Sequence, residues 1–318
     1  MGRRAKKRRK ESHGKKAGGG GDDDWGTSII PRNAMYEEYY FNQGSDFLPE
    51  DEWEQFLKHL QARLPAAFRV NGGSAVSESI VAKLQAMQDI TVEETTIKAP
   101  WCLPWVKSKH AWQLGCDRKA MKKTPALRSF HRFMVDESNV GNIIRQETVS
   151  MLPPLLMDIK PHHFVLDMCA APGSKTTQLV EALHAGMDAG ADVPGLVVAN
   201  DANNKRAQLL AHQLRRFSSS SLLVTQHDAR FFPRIHDRNA ETEGMFDRIL
   251  CDAPCSGDGT LRKNPDIWRS WTPKSAMQLH SLQLQIARRG IDLLKVGGIM
   301  VYSTCSLSPI EDEAVVAT

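Results

Sequence analysis

The sequence predicts an α/β fold: a doubly wound, mostly parallel sheet in the second half of the chain and a smaller α+β domain before it. Three observations carry this prediction. Short apolar strands alternate with helical segments from residue 163 onward, which is typical of parallel sheets with crossover helices. Several strands end at polar residues, as strands do where a sheet meets a ligand site. The region before residue 126 instead mixes strands with helical periodicity.

Five apolar runs are predicted as the strands of the parallel sheet. They are His163–Met168, Leu196–Ala199, Leu222–Gln226, Arg248–Asp252 and Ile299–Thr304. Helical periodicity predicts crossover helices at about 174–186, 203–217 and 274–295, and a further helix at Ile143–Met157 packed across the sheet. Sheets of this kind normally carry two further strands, so we expect the fold to be truncated at its C-terminus.

The N-terminal region begins with a segment that has little to bury. Nine Lys or Arg among the first 16 residues, a Gly run and three aspartates predict a disordered basic tail over residues 1–28. A solvated tail, a nuclear-import signal and an RNA-tethering arm remain open for it. Periodicity then predicts helix within Tyr36–Leu64, a strand at Ala67–Asn71 and a helix at Ser74–Met87.

The composition excludes several classes of protein. Of 318 residues, 41% are hydrophobic, and no apolar run approaches the roughly 18–20 residues of a membrane span. The N-terminus lacks the apolar segment of a signal peptide, so we expect a protein inside the cell with its six cysteines reduced. No cysteines show the C-x-x-C spacing of a zinc site. Outside residues 1–16, 32 basic and 36 acidic side chains remain, so nucleic acid would have to bind local patches.

Four aspartates close or follow predicted strands: Asp167, Asp201, Asp228 and Asp252. The first strand also runs into a turn of small residues that opens a helix: Cys169, Ala170, Ala171, Pro172, Gly173, Ser174 and Lys175. Small side chains let the backbone approach a ligand, and the N–H groups of a helix N-terminus favour an anionic end such as a carboxylate. Each aspartate alone is more often a turn or capping residue, but their joint spacing favours a ligand site.

The spacing of this turn distinguishes it from phosphate-binding loops. Ser174 stands between Gly173 and Lys175, so the P-loop pattern fails, and G-x-G-x-x-G is absent. Asp201 is suited to accept hydrogen bonds from ribose hydroxyls, and Asp228 from an adenine amine. A ligand with a ribose, an adenine and an amino-acid end, but no phosphates, is S-adenosylmethionine, which the sequence predicts as the cofactor.

Two cysteines stand just beyond neighbouring strand ends, Cys255 in a Gly/Pro-rich loop and Cys305 in Ser-Thr-Cys-Ser. A lone cysteine is usually a buried small hydrophobe, but two at strand ends indicate partly exposed, reactive thiols. The segment after Cys255 carries Trp268, Trp271 and a basic Arg-Lys pair. A nucleic-acid channel and a surface loop with packed tryptophans are equally compatible with it.

Long motifs in the second half carry a resemblance to a known family. The segments DMCAAPGSKT, CDAPCSGDGT and YSTCSLSPIEDEAV, with GNIIRQETVSMLPPLL before the first strand, resemble signatures of the Nop/Sun family of RNA cytosine-5 methyltransferases. Over residues 36–318 the chain looks most similar to the eukaryotic tRNA-methylating branch. The resemblance implies a Rossmann-like methyltransferase domain at 126–318 and an RNA-binding region at 29–125. It also implies tRNA as the partner, a monomer, and a location in the nucleus, with nucleolus and cytoplasm open.

The resemblance further implies the roles of individual residues. The cysteine matching Cys305 attacks C6 of cytosine, and the one matching Cys255 assists release of the methylated base. Addition of a thiolate at C6 activates C5, which is otherwise a poor nucleophile. Asp252 is placed to hydrogen-bond the ring, and Lys175 to hold that carboxylate. DNA cytosine methyltransferases use the Pro-Cys cysteine instead, which would be Cys255 here, but the family pattern favours Cys305.

Two other functions remain open from the sequence. A non-catalytic RNA-binding protein of the same fold would bind RNA without turnover. A small-molecule or protein methyltransferase would keep the cofactor aspartates but has no use for two positioned thiols. Only the RNA methyltransferase predicts a covalent adduct through Cys305.

Overall fold

The structure, a computed structural model, describes residues 32–44, 47–92, 95–187, 192–217, 219–234 and 244–318. The segment 1–28, for which the sequence predicts a disordered tail, lies outside these residues. The strands are β1 (Ala67–Val70), β2 (Ile90–Val92), β3 (Thr95–Ile97), β4 (Trp101–Cys102), β5 (Ala111–Gln113), β6 (Ile143–Arg145), β7 (Phe164–Asp167), β8 (Leu196–Asn200), β9 (Leu222–Thr225), β10 (Phe246–Asp252) and β11 (Leu294–Ser303). The α-helices are α1 (Ala34–Phe41), α2 (Trp53–Gln61), α3 (Ser77–Gln85), α4 (Arg118–Lys123), α5 (Arg128–Asn139), α6 (Leu152–Leu155), α7 (Ser174–Leu183), α8 (Asn204–Leu214), α9 (Ile267–Ser270), α10 (Pro273–Leu293) and α11 (Glu313–Val316).

The second half forms a parallel five-stranded sheet in the order β11-β10-β7-β8-β9. Apolar strands buried on both faces explain this arrangement, since Leu166 and Ile249 pack toward α10 while Val165 and Leu250 pack toward α7. The prediction of a doubly wound α/β fold is confirmed. The chain moves outward in opposite directions from β7, through β8 in one and β10 in the other, so a topological switch point lies between β7 and β10.

The first half contains a smaller antiparallel sheet in the order β4-β5-β1-β6. Its core joins Phe68 and Trp112 from the sheet to Leu84 from α3 and Phe130 from α5, all buried. Of the neighbouring tryptophans, Trp101 and Trp105 remain 40% exposed. The predicted strand and helix over 67–87 are present, and β2 and β3 form a separate hairpin.

The helix predicted at Ile143–Met157 is wrong. Residues Ile143–Arg145 form β6, which pairs with β1, and only Leu152–Leu155 is α-helical. The β-branched residues Ile143 and Ile144 come shortly after Gly141, whose φ of +84° turns the chain after α5. Pro153 and Pro154 lie in the first turn of α6 and prevent an α-helix from running through them from residue 143. Because β6 is a strand of the N-terminal sheet and α5 packs against that sheet, the N-terminal layer continues past the predicted boundary at residue 126.

The helical pattern over Tyr36–Leu64 is also interrupted. It divides into α1 and α2, with Gly44 at a φ of +76° and Pro49 between them. The amphipathic spacing holds in α2, where Leu57 and Leu60 are buried, but periodicity alone does not locate the turn before it. Among the described residues, no helix combines the length and apolar character that crossing a bilayer requires.

A buried arginine connects the N-terminal sheet to the parallel sheet. The side chain of Arg69 on β1 is 3% exposed and forms an ion pair with Glu181 of α7. It also donates to Thr177 Oγ1 at 2.8 Å and to the carbonyl oxygen of Ser174 at 3.1 Å. Gln146 Oε1 accepts from Arg69 Nε at 2.6 Å. The first turn of α7 is therefore fixed to β1.

Replacement of this arginine tests the connection. Arg69→Met leaves Glu181 without its cation, and breaking a buried pair in this way lowers the free energy of unfolding by about 3–5 kcal/mol. Urea unfolding measures the loss. Arg132→Met is the control, since the side chain of Arg132 is 86% exposed and its pair with Asp136 is worth about 1 kcal/mol or less. Equal stability of the two variants would contradict this interpretation.

Candidate functional site

The turn between β7 and α7 is shaped by its small residues. Ala170 N donates to the carbonyl oxygen of Asn200 at 2.7 Å, so the turn is held against the end of β8. Gly173 has a φ of +109°, and a Cβ there would lie 2.9 Å from Leu210 Cδ1 of α8. Only glycine meets both conditions without strain. The helix N-terminus at Ser174 is thereby placed at the carboxyl edge of the sheet, where its free N–H groups favour an anion.

The four aspartates lie at this edge in different environments. Asp167 is buried, and burial raises its pKa to about 7; Thr176 Oγ1 donates to its Oδ2 at 2.7 Å. Its Oδ1 has no hydrogen-bond partner among the described residues. Asp201 is 4% exposed, accepts from Asn203 N at 3.0 Å and pairs with Arg206 at 3.1 Å.

Asp228 also serves as a capping residue. Its Oδ1 accepts from Arg230 N at 3.0 Å, and its ion pair with the Arg230 guanidinium lies at 2.6 Å. The hydrogen bond from the Arg230 side chain lowers the pKa of Asp228. The capping role considered from the sequence is therefore present, and it is compatible with a ligand contact because the side chain is not buried.

Asp252, at the end of β10, is held from two sides. Lys175 Nζ lies 2.7 Å from Asp252 Oδ2, and Ser303 Oγ donates to Oδ1 at 2.9 Å. The contact between Lys175 and Asp252 is the one anticipated from the sequence, whereas Ser303 was not anticipated. Both oxygens of Asp252 are thus oriented by side chains from α7 and β11.

The two strand-end cysteines meet directly. Cys255 Sγ lies 3.1 Å from Cys305 Sγ, and the Cys305 backbone N–H donates to Cys255 Sγ at 3.3 Å. The hydrogen bond from the Cys255 thiol lowers the pKa of Cys305, while that bond and burial raise the pKa of Cys255. Burial likewise raises the pKa of Cys169. Cys305, which is exposed, is therefore placed to be the more acidic thiol of the pair.

Two loops carry these thiols: the Cys255 loop (residues 253–260) and the Cys305 loop (residues 304–311). Gly259 N donates to the carbonyl oxygen of Cys305 at 3.0 Å, and a Cβ on Gly259 would lie 2.9 Å from that oxygen. In the opposite direction, Glu311 is fully buried and accepts from Ser256 N at 2.8 Å and from Gln283 Nε2 of α10 at 2.9 Å. Each loop therefore contacts the backbone of the other.

Comparison with known proteins identifies the family. Residues 154–318, more than half of the chain, match the family model of 16S rRNA methyltransferase RsmB/F. The chain belongs to the RsmB/F methyltransferase family. It is 47% identical over 300 residues to the multisite-specific tRNA:(cytosine-C(5))-methyltransferase of Saccharomyces cerevisiae, covering 92% of this chain and 43% of that relative. It is 32% identical to the tRNA (cytosine(49)-C(5))-methyltransferase of Pyrococcus abyssi, over 84% of this chain and 74% of the relative.

Solved structures agree with the fold. A methyltransferase homologue from Pyrococcus horikoshii has a TM-score of 0.61 at 27% identity, covering 87% of this chain and 76% of that one. NSun6 from Pyrococcus horikoshii with SFG has a TM-score of 0.64 at 20% identity, covering 91% and 87% of the two chains. The present chain spans between 40% and 46% of the length of its three eukaryotic curated relatives.

In this RsmB/F chain the tryptophans after Cys255 do not line a channel. Trp268 and Trp271 are each 2% exposed and pack in an aromatic core with Tyr36 and Tyr40 of α1. The nearby Arg262 donates to the carbonyl oxygen of Ala62, at the end of α2, at 3.0 Å. Of the two interpretations left open by the sequence, the packed loop is correct for both tryptophans.

Sequence reasoning missed several polar residues that support the site. Asp258 and Glu311 are fully buried, and Ser303 and Arg206 contact the strand-end aspartates. Asp258, Glu311 and Ser303 belong to motif segments that were noted as a whole, but acidic residues in Ser/Pro/Gly-rich segments normally face solvent. Arg206 lies outside these segments. A cavity of about 260 Å³ lies beside the turn, lined by Arg145, Gly173 and Arg216 among others, and none of the four aspartates lines it.

The hydrogen bond between the thiols is tested by titration. Cys255→Ala removes the donor that lowers the pKa of Cys305, so alkylation of Cys305 by iodoacetamide is expected to shift to higher pH and to slow several-fold at pH 7. Mass spectrometry of the Cys305 peptide measures the rate at each pH. Cys255→Ser keeps a donor and should shift less. Cys102→Ala, a thiol on β4, is the control, and an unchanged profile in Cys255→Ala would contradict the assignment.

Proposed function

We propose that this protein is an RNA cytosine-5 methyltransferase that acts on tRNA through a covalent adduct at Cys305. One observation carries the proposal: two thiols 3.1 Å apart stand beside the Lys175–Asp252 pair at the switch-point edge of a methyltransferase fold. Small-molecule and protein methylation require no such thiol pair. The names of the relatives, which are tRNA cytosine-5 methyltransferases from yeast to archaea, support the same chemistry and substrate.

The residues at the sheet edge fit S-adenosylmethionine, the cofactor of this family. The turn at 169–175 leaves room for backbone approach, and Asp167 Oδ1, for which the described residues provide no hydrogen-bond donor, is a buried acceptor suited to a cationic or hydroxyl group. Asp201 would hold the ribose and Asp228 the adenine. These contacts would replace their present ion pairs with Arg206 and Arg230. When bound, S-adenosylmethionine supplies an electrophilic methyl group on sulfur.

The chemistry assigned to this chain's residues begins at the thiols. Cys305, whose pKa is lowered by the Cys255 thiol, adds as thiolate to C6 of cytosine, and a carbon–sulfur bond forms. Electron density then reaches C5, the position that accepts the methyl group. Asp252, oriented by Lys175 and Ser303, hydrogen-bonds the ring where charge develops.

Release of the methylated base requires that the carbon–sulfur bond formed in the first step is broken. Loss of the C5 proton to a water molecule restores the C5–C6 double bond with the electron pair of the broken C–H bond, and Cys305 leaves as thiolate as its bond to C6 breaks. Cys255 is placed for this step, because its Sγ lies 3.1 Å from Cys305 Sγ and the hydrogen bond between the thiols, with burial, raises its pKa, so it can donate a hydrogen bond to the departing thiolate. The two cysteines therefore have different roles although they touch: the acidic, exposed one is the nucleophile, and the other assists departure.

A paired cytosine must leave its stack to reach a thiol at the sheet edge, so unpaired cytosines of tRNA are the favoured substrates. We also propose that the N-terminal sheet contributes to RNA binding and that the enzyme is a monomer located in the nucleus. The nine Lys and Arg within residues 1–16 support an import signal or an RNA tether. Sedimentation of the native chain tests whether it is a monomer, and imaging of a variant with these nine residues neutralised tests its nuclear location.

Transfer of a labelled methyl group to unmodified tRNA tests the reaction. We expect turnover by the 318-residue chain, loss of at least about 10³-fold in Cys305→Ala because the covalent route is closed, and a stalled protein–RNA adduct in Cys255→Ala. Cys102→Ala is the matched control and should retain full turnover.

A folded chain that binds tRNA without methyl transfer would support the non-catalytic RNA-binding function instead. Adduct accumulation in Cys305→Ala rather than in Cys255→Ala would reverse the two cysteine roles, as in the DNA enzymes.

A further inference from the structure

A second buried carboxylate links the thiol loops, and it belongs to the Cys255 loop. Asp258 is fully buried, and its oxygens serve three donors from three parts of the chain. Its Oδ1 accepts from the backbone N–H of Leu307 at 2.8 Å. Its Oδ2 accepts from Trp271 Nε1 at 3.0 Å and from the Tyr40 hydroxyl. Burying a carboxylate costs free energy unless its oxygens accept hydrogen bonds, so these three donors determine where the Asp258 side chain lies.

The Tyr40 hydroxyl is supplied by α1, 218 residues before Asp258 in the chain. The capping residue of α1, Asn33, donates through Nδ2 to the carbonyl oxygens of Trp268 at 2.9 Å and Trp271 at 3.0 Å. Tyr39, also on α1, hydrogen-bonds through its hydroxyl to Ser308 Oγ at 3.2 Å, in the Cys305 loop. Helix α1 therefore contacts both thiol loops or the segments that continue from them.

Aromatic packing holds α1 in this place. The ring of Tyr36 lies 5.4 Å from that of Trp268 and 5.0 Å from that of Trp271, and the Tyr40 ring lies 5.8 Å from that of Trp271. Burial and the Asp258 carboxylate both raise the pKa of Tyr40, so its hydroxyl keeps its proton and remains a donor. Displacing α1 would break ring contacts and hydrogen bonds together.

Asp258 affects the nucleophile because the residues that it holds or adjoins lie next to Cys305. Leu307, which it holds, is two residues from Cys305, and Gly259, its own neighbour, donates to the Cys305 carbonyl oxygen at 3.0 Å. Asp258 and Gly259, two consecutive residues of the Cys255 loop, therefore hydrogen-bond to the Cys305 loop at two points. These contacts fix the backbone on which the 3.1 Å thiol separation depends.

We infer that Asp258 is a positioning residue for the nucleophile Cys305, and that the Tyr40 hydroxyl of α1 holds the Asp258 carboxylate in place by donating a hydrogen bond to it. The catalytic consequence rests on the proposed function, whereas the effect on thiol alignment does not. Asp258 touches neither substrate nor thiol; it positions Cys305 through the backbone of the Cys305 loop, while its negative charge acts in the opposite sense by raising the pKa of Cys305. An N-terminal helix remote from the motifs in sequence thereby becomes part of the site.

Two tyrosines of α1 provide a matched pair for the test. Tyr40→Phe removes the donor to Asp258. Tyr36→Phe removes a buried hydroxyl that has no hydrogen-bond partner within the described part of the chain. Both keep the ring, so packing is preserved, and Tyr36→Phe is expected to retain native activity. Asp258→Asn is the third variant, because an amide cannot accept from donors on both of its sides.

The measurements use the 318-residue chain. They are the pH profile of Cys305 alkylation by iodoacetamide, kcat and KM for tRNA methylation, and the midpoint of urea unfolding. In Tyr40→Phe, alkylation at pH 7 and kcat are each expected to fall roughly 10-fold with KM for tRNA and cofactor unchanged, since a hydrogen bond to a charged group is lost. In Asp258→Asn, kcat should fall on the order of 100-fold, because at least one of the three donors loses its acceptor. Alkylation at pH 7 should fall less than kcat, because removing the carboxylate charge lowers the pKa of Cys305.

The outcomes separate the inference from the proposed function. If the native chain transfers no methyl group, the proposed function fails, but a slower Cys305 alkylation in Tyr40→Phe than in Tyr36→Phe still supports positioning. If methyl transfer occurs and the two tyrosine variants behave alike, or only KM changes, positioning by Asp258 is overturned while the function stands. Because Tyr40→Phe retains its ring, it decides the question even where Asp258→Asn does not fold.

Discussion

The parallel pairing of β10 with β11 is the constraint on which the rest of the site depends. Its register places Asp252 opposite Ser303, so both strands end at the same level and release their loops side by side. Cys255 follows one strand end by three residues and Cys305 follows the other by two. Hydrogen bonding within the sheet fixes the strands, so the loops that carry the two thiols begin side by side. A register shift in this pair would separate the cysteines and detach Ser303 from Asp252.

Sheet register alone leaves two loops free to move, and buried carboxylates restrict them. Glu311 of the Cys305 loop accepts from Ser256, and Asp258 of the Cys255 loop accepts from Leu307. A buried acid without enough donors is strongly destabilising, so each of these carboxylates favours the loop conformation that supplies its donors. A buried ion pair also connects the two sheets: Arg69 of β1 pairs with Glu181 and fixes α7, the helix that carries Lys175.

Local pattern in the sequence predicted what lies within one element or one motif. The five parallel strands, the small-residue turn and the strand-end positions of Asp252, Cys255 and Cys305 follow from periodicity, composition and family motifs. It failed at Ile143–Arg145, where pairing with β1 overrides helical periodicity. It also missed the bond from Tyr40 to Asp258, because no local pattern connects residues 218 positions apart. Support contacts of this kind depend on tertiary packing, which a single sequence does not encode locally.

The central claim is that Cys305, made acidic by its neighbour and held by the loop contacts, is the thiol that attacks the base. The most direct measurement is to map the adduct formed with tRNA containing 5-fluorocytidine, whose C5 substituent cannot leave as a proton, so the enzyme stays attached. Mass spectrometry of the digested adduct should find the modified base on the peptide containing Cys305 and an unmodified Cys255. Attachment at Cys255, or no attachment by a chain that methylates tRNA, would contradict the account.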